Sequence, residues 1–528
     1  MTDLTSSPGL KTRQLTLTAS ALVLVALLAL GAAVSAADPG GGSGGKVEPK
    51  VEQEIKAKGK ATFWVVLREQ ADTSAAPTIQ DRTARGRFVY ERLKSVADQS
   101  QSGLRGLLQR RGVSYKPFFI ANVIEVTAGE SVLREVAEQP EVSQVVADRV
   151  YDIPKPIPDQ GEPTVNGVEW NIDRIHAPQV WSTFNDRGEN IVIASIDTGV
   201  QYNHPALVAQ YRGNLGSGNF DHNYNWFDPS HVCGNPSLAP CDNNQHGTHT
   251  MGTMVGDDGT NQIGVAPRAH WITAKGCESN YCSLSALLAS GQWMLAPTNL
   301  NGQNPRPDLR PNIVSNSWGG GGGDSFYQSI VNEWGASGIF PVFSNGNDGP
   351  SCYSSGSPGD YPPAYSAGAF DINDQIASFS SRGPSDFQGE TKPNIAAPGV
   401  SVRSSIPTNS FGVLSGTSMA APHVAGTVAL MWSKSPVLVS DINATRAILD
   451  NTAVDVSDLS CGGTAADNNV WGEGRLDAFA AVDQSPGGPA PGMLQGTVTA
   501  ASSGTAISGA TVHILQQDSE APGVRLAN

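Results

Sequence analysis

Two linked α-and-β architectures are predicted from this sequence: a small ferredoxin-like α+β unit over residues 61–152, then a larger α/β domain over 168–484. The larger one is expected to hold a mostly parallel sheet with helices on both faces. Three observations lead there. Short apolar runs at 191–196, 271–274, 313–316 and 339–343 alternate with helical stretches, which is the text of buried parallel strands. Upstream, the expected order is strand, helix, strand, strand, helix, strand, the split β-α-β pattern. Between the two, Ile153-Pro154-Lys155-Pro156-Ile157-Pro158 removes backbone donors, so 153–167 is expected to be an exposed linker open to proteolysis.

In chain order, Lys11 and Arg13 precede an apolar stretch at 19–33 and the small-residue site Val34-Ser35-Ala36, so 1–36 reads as a secretory signal peptide. The stretch is shorter than the roughly 18–20 residues that cross a bilayer. Residues 37–60, opening on Pro39-Gly40-Gly41-Gly42-Ser43, read as a flexible linker. In the small unit, 62–67, 113–119, 122–126 and 142–147 are expected strands, 85–110 one long polar helix, and 130–139 a second helix. Beyond the Pro- and Gly-rich linker 485–492, residues 493–528 hold two short β-rich runs. They resemble the first strands of a carboxypeptidase regulatory-like β-sandwich domain, cut short.

The six cysteines all lie between 233 and 461, an even set in a chain expected to be exported. Disulfides are therefore expected, and of the 15 possible pairings the short spacings favour Cys233 with Cys241 and Cys277 with Cys282, leaving Cys352 for Cys461. Residues 1–150 carry 19 Lys/Arg against 16 Asp/Glu, which leaves a net charge of −18 on the remainder. That excess argues against nucleic acid or a membrane as partner.

Chemistry concentrates in four segments. Ser415-Gly416-Thr417-Ser418-Met419-Ala420-Ala421-Pro422-His423 sets a serine where a turn becomes a long apolar helix. Taken alone this is an N-cap pattern, but the helix start also favours negative charge appearing near Ser418. A second segment, 190–199, is an apolar strand ending in Asp197, and so puts a carboxylate on the edge of the sheet where ligands bind. His246 opens a helix in His246-Gly247-Thr248-His249 and is the candidate base. Asn347, in Gly346-Asn347-Asp348-Gly349 after another strand, can donate to an oxyanion.

Asp-Thr-Gly after a strand, His-Gly-Thr-His, and Gly-Thr-Ser-Met-Ala with Pro422, in that order, resemble the subtilisin-like serine peptidases over residues 168–483. Val168-Glu169-Trp170-Asn171-Ile172, Asn203-His204-Pro205-Ala206-Leu207 and Leu295-Ala296-Pro297 are most similar to its bacillopeptidase F subgroup. The resemblance implies a subtilisin-like fold and a triad of Asp197, His246 and Ser418, with Asn347 and the Ser418 N–H binding the oxyanion. It also implies that Ser317, Trp318 and Gly319 line a cleft for protein or peptide substrates, and that Gly356 lies in an uncharged specificity pocket suited to apolar or aromatic side chains. Residues 61–152 would be the propeptide, acting as intramolecular chaperone and inhibitor, with processing between Asp148 and Thr164. No cofactor is required by such a triad and no catalytic metal is expected. A structural calcium is usual in many relatives, but Ala206 stands where they carry an aspartate. His249 and His423 are expected to be structural, and the glycines 319–323 to form a mobile loop beside the cleft.

Overall fold

Seven strands, each paired in parallel with its neighbour, form the central sheet in the order Trp226–Phe227, His270–Lys275, Val192–Asp197, Ile313–Asn316, Phe340–Ser344, Tyr365–Phe370, Ile395–Pro398. The chain is laid down from the middle outwards. From Val192–Asp197 it first builds towards one edge and then crosses back to build the other. The crevice beyond the carboxyl end of Val192–Asp197 is thus the switch point at which α/β sheets bind ligands.

The computed structural model describes residues 45–153, 157–158 and 167–487. The expected signal peptide 1–36, residues 37–44 of the expected linker and the β unit expected at 493–528 lie outside the described residues.

Both faces of the sheet are covered. On one side the helix Thr417–Lys434 runs beneath the strands, buried from Thr417 to Trp432, and packs with the helix His246–Val255. The other side carries Leu284–Leu295 and Gln328–Ser337, whose Trp293, Ile330 and Trp334, with Tyr327 just before the second helix, form one apolar cluster with Val314 and Phe343. Cys233–Cys241, Cys277–Cys282 and Cys352–Cys461 are bonded as the spacings favoured, and no described cysteine is free.

The small unit has a four-stranded antiparallel sheet ordered Ser114–Phe118, Val123–Ala128, Ala61–Leu67, Val142–Ala147, which is the ferredoxin-like arrangement. One face closes over Leu104, Leu107, Leu108, Leu133 and Val136. Trp64, Phe118 and Ile120, together with Val89 and Leu93 of the long helix, join the apolar cluster of the large domain.

Three expectations need correcting. Residues 49–58 form a helix, Pro49–Lys58, within the expected flexible linker 37–60, because Pro49 starts it, Val51 and Ile55 bury one stripe, and left-handed Gly59 ends it. The single helix expected over 85–110 is two, Arg82–Ser100 and Ser102–Arg111. They divide at Gln101, whose buried amide donates to Phe118 O and Asn122 Oδ1, both at 2.9 Å. The linker 153–167 does take part in pairing: Ile157 and Pro158 lie antiparallel to Ser415 and Leu414.

The two units also meet through three arginines. Arg85 donates to Gly335 O at 3.0 Å, Ala336 O at 2.6 Å and Ser440 O at 3.1 Å, so it caps the carboxyl end of Gln328–Ser337. Arg82 donates to Arg310 O and Pro311 O, each at 2.8 Å, and Arg310 donates back to Arg82 O at 2.6 Å. Arg310 lies flat against the small unit's helix at Gly86, where any Cβ would come within 2.3 Å of its guanidinium.

Candidate active site

The carboxylate at the end of Val192–Asp197 is almost fully occupied. Asp197 Oδ1 accepts from His246 Nδ1 at 2.8 Å and from the Thr198 N–H at 2.7 Å, while Oδ2 accepts from the Thr250 hydroxyl at 3.3 Å. His246 and Asp197 are buried. The bond at Nδ1 fixes the ring so that Nε2, buried and without a partner, is the nitrogen left to react. Two glycines permit this approach. A Cβ on Gly247 would lie 2.1 Å from Gly199 O, and one on Gly199, at φ +92°, 2.0 Å from Cys241 O.

Asp242 is what holds His246 at its helix start. Its Oδ1 accepts from the Asn244 and Gln245 N–H groups and the Thr198 hydroxyl, all at 2.9 Å, and its Oδ2 from the Thr248 N–H at 2.9 Å. A carboxylate at a helix N-terminus complements the dipole. The sequence reading missed this residue, although an acidic residue just before a helix start is a recognised signal.

Ser418 is the second residue of Thr417–Lys434, where backbone N–H groups lack intrahelical acceptors. Its Oγ points to the Ser317 carbonyl at 3.4 Å, rather than to His246. Asn347 is brought to the same helix start: its Oδ1 accepts from the Thr417 N–H at 2.9 Å and the Thr417 hydroxyl at 2.8 Å. Those bonds orient the amide and leave its Nδ2 as a donor beside Gly416, 3.2 Å from where a Cβ would stand.

The cleft is occupied by the chain itself. Val150–Asp152 pairs antiparallel with Tyr281–Ser283 on one rim, and on the other Asp152 exchanges bonds with Gly319, N–H to O at 2.9 Å and O from N–H at 3.1 Å. Cys277–Cys282 closes the first rim, and the Cys277 N–H donates to Asp197 O at 3.1 Å, which ties that rim to the catalytic strand. Trp318 is buried beneath, its ring 5.6 Å from that of Tyr151. Ser317 Oγ donates to Ser418 O at 3.2 Å, linking the second rim to the serine. Gly356 is buried behind the glycine run, and its N–H donates to Asn345 O at 3.0 Å. Residues 319–323, expected to be mobile, are tethered: Gly320 N–H donates to Ser357 O at 2.9 Å and Gly323 N–H to Asp360 Oδ2 at 2.8 Å.

The other histidines of these motifs are buried neutral donors, with His249 Nδ1 left unpartnered. His249 Nε2 donates to Val402 O at 3.0 Å, and burial lowers its pKa to about 3. His423 Nδ1 donates to Met419 O at 2.9 Å, its Nε2 accepts from Asn171, and burial lowers it to about 4.

At the position considered for calcium in the sequence, Ala206 offers no side-chain oxygen. Asp258 already accepts from Thr260 N–H at 2.9 Å and Asn261 N–H at 2.6 Å, and Asp257 from Gly259 N–H at 2.8 Å. Among the described residues no group of three or more His, Cys, Asp or Glu is placed to hold a metal ion.

The subtilase family model matches residues 188–477, more than half of the chain. The chain belongs to the subtilase family of serine peptidases. This subtilase is 37% identical over 474 residues to Bacillopeptidase F of Bacillus subtilis strain 168, a match covering 83% of this chain and 32% of that protein. It therefore spans about a third of that relative's length. Subtilisin E of the same organism is 30% identical over 331 residues, 62% of this chain and 75% of its own. Thermitase of Thermoactinomyces vulgaris is 31% identical over 323 residues, 61% and 98% respectively. Among the described residues of this subtilase, no helix is long and apolar enough to cross a membrane.

Proposed function

We propose that this subtilase is a secreted serine endopeptidase that works through an acyl-enzyme and is made as a self-processing preproenzyme. One observation carries the reading. A buried His246–Asp197 pair leaves Nε2 open, the helix that His246 begins packs against the helix of Ser418, and Asn347 is tied to the start of that second helix.

In the reacting complex Ser418 Oγ turns from the Ser317 carbonyl to His246 Nε2, which takes its proton as Oγ attacks the scissile carbonyl. Asp197, on Nδ1, stabilises the imidazolium. Asn347 Nδ2 and the Ser418 N–H receive the oxyanion. His246 then gives the proton to the leaving amine, and water repeats the sequence to release the acid. Every proton and charge in this cycle is handled by protein groups, so no cofactor is needed and no metal is assigned. Protein or peptide substrates would lie extended, pairing with Gly319 and Tyr281–Ser283 as residues 150–152 do.

That self-occupied cleft supports residues 61–152 as chaperone and inhibitor. Pairing of 150–152 before the catalytic residues and of 157–158 with Leu414 and Ser415 favours a cut between Ile153 and Ile157. Purified wild-type protein is expected to hydrolyse casein, to carry a fluorophosphonate label on Ser418, and to have a new N-terminus in that window. Protein that neither cleaves casein nor takes the label sinks the reading.

The propeptide's hold should weaken as pH rises. Glu333, on Gln328–Ser337, is covered by the small unit: burial first, then the Asp72 charge, raise it to about 7 against a bond from Thr73. Its Oε2 is buried without a partner. A raised acid favours the bound state while protonated, so binding is strongest below about pH 4.5 and the contribution is gone above about 7. Gel filtration of processed protein is expected to show up to about 100-fold weaker association across that window, and Glu333→Gln to flatten the dependence.

A further inference from the structure

The segment in the cleft also shows what side chains the cleft reads. Tyr151 enters from the end of the small unit and is only 2% exposed. Its ring stands edge-on to Trp318, and its hydroxyl donates to Asp324 Oδ2 at 3.0 Å. Burial, and next the Asp324 charge, keep that phenol protonated and donating. Two residues earlier, on the same side of the extended segment, Arg149 pairs with Asp324 Oδ1, and its guanidinium lies 5.5 Å from the Phe326 ring. One carboxylate therefore meets both side chains.

Asp324 is held by its own domain. The Phe326 N–H donates to Oδ1 at 3.0 Å, the Asp324 N–H donates to Ser357 Oγ at 3.0 Å, and the Tyr361 hydroxyl donates to Asp324 O. None of these partners belongs to the small unit, so the carboxylate keeps its position when the segment leaves. Arg149 also lies 3.8 Å from Glu48, a small-unit contact that a foreign substrate would not supply.

We propose that Asp324 is a specificity-determining residue, selecting segments in which a basic residue is followed two positions later by tyrosine, upstream of the cut bond. The proposal rests on the endopeptidase reading above. The chemistry is that of a charged acceptor in a partly dry pocket. Phenylalanine would fill the space against Trp318 and leave Oδ2 covered and unpaired, and a neutral residue in place of Arg149 would forgo the ion pair.

The test is an internally quenched peptide with the sequence of residues 147–160, assayed on processed wild-type enzyme with Arg149→Ala, Tyr151→Phe and doubly substituted versions. Each single change is expected to lower kcat/KM about tenfold. With the Asp324→Asn enzyme the penalty for losing Arg149 should vanish, while the doubly substituted peptide is cleaved as wild type cleaves it. Equal cleavage of all four peptides by the wild-type enzyme overturns the proposal, and that series needs no variant protein to fold. If casein is untouched as well, the endopeptidase reading fails and the proposal falls with it.

Discussion

Ser418→Ala is expected to lower kcat by about 10⁶, a magnitude taken from the corresponding change in subtilisin, with a residue of about 10³–10⁴ over water. The structure explains why the loss should not be shared out among the triad. Asp197 and His246 are engaged with each other and with Thr198 and Thr250, and Nε2 has no partner of its own, so in the proposed cycle its proton transfers all depend on the serine. Ser418→Ala/His246→Ala should therefore be no slower than either single variant. Stability should hardly change, by less than about 0.5 kcal/mol, because Oγ makes only the long bond to Ser317 O. Initial rates on casein, urea midpoints and N-terminal sequencing check the three statements. The variant should keep residues 61–152 attached. If it is processed like wild type, another peptidase makes the cut.

Asn347 gives the second large effect. Its loss is expected to cost about 10²–10³ in kcat with little change in KM, again the magnitude known for the equivalent amide of subtilisin. Here the side chain would have two duties, since Oδ1 fastens Thr417 while Nδ2 is free to donate to the oxyanion in the proposed cycle. Asn347→Ala removes both. Asn347→Asp keeps an acceptor for both Thr417 bonds but turns the donor into a negative oxygen, so it should be at least as slow while folding normally. Thr417→Val removes only one neutral bond and should cost no more than about tenfold. A fast Asn347→Asp enzyme would show that the amide only positions the helix.

The strands that present Asp197 and Asn347, and the helices that begin at His246 and Ser418, were legible because each is an apolar run ending in a turn of glycine, threonine or asparagine. The four strands of the small unit were legible for the same reason, by period and punctuation. What escaped the sequence was whatever depends on a partner far along the chain. Gln101 divides a continuous helical pattern only because Phe118 and Asn122 wait for its amide. Asp242 looks like one polar residue among Asn243, Asn244 and Gln245 until five donors converge on it. Ile157 and Pro158 are paired despite their prolines, since Leu414 and Ser415 lie alongside. The helix Pro49–Lys58 was a different kind of miss: its start, stripe and stop were all written in the text, and the glycines before it drew attention away.

The three arginines at the junction make that contact self-limiting. Each guanidinium is answered by carbonyl oxygens, and among the described residues no carboxylate is bonded to any of them, so like charges are brought together at this seam. Arg310 bears the load: burial, then the charges of Arg82 and Arg85, bring it down to about 8. The guanidinium of Arg85 adds to a helix end that left-handed Gly338 already closes through its own N–H. If the chain between the two units were cut, departure of the small unit would take two of the three charges with it and readmit water to the third. A seam that buries like charges between the two units is thus biased to open if the chain between them is cut, and the proposed processing would draw on that bias.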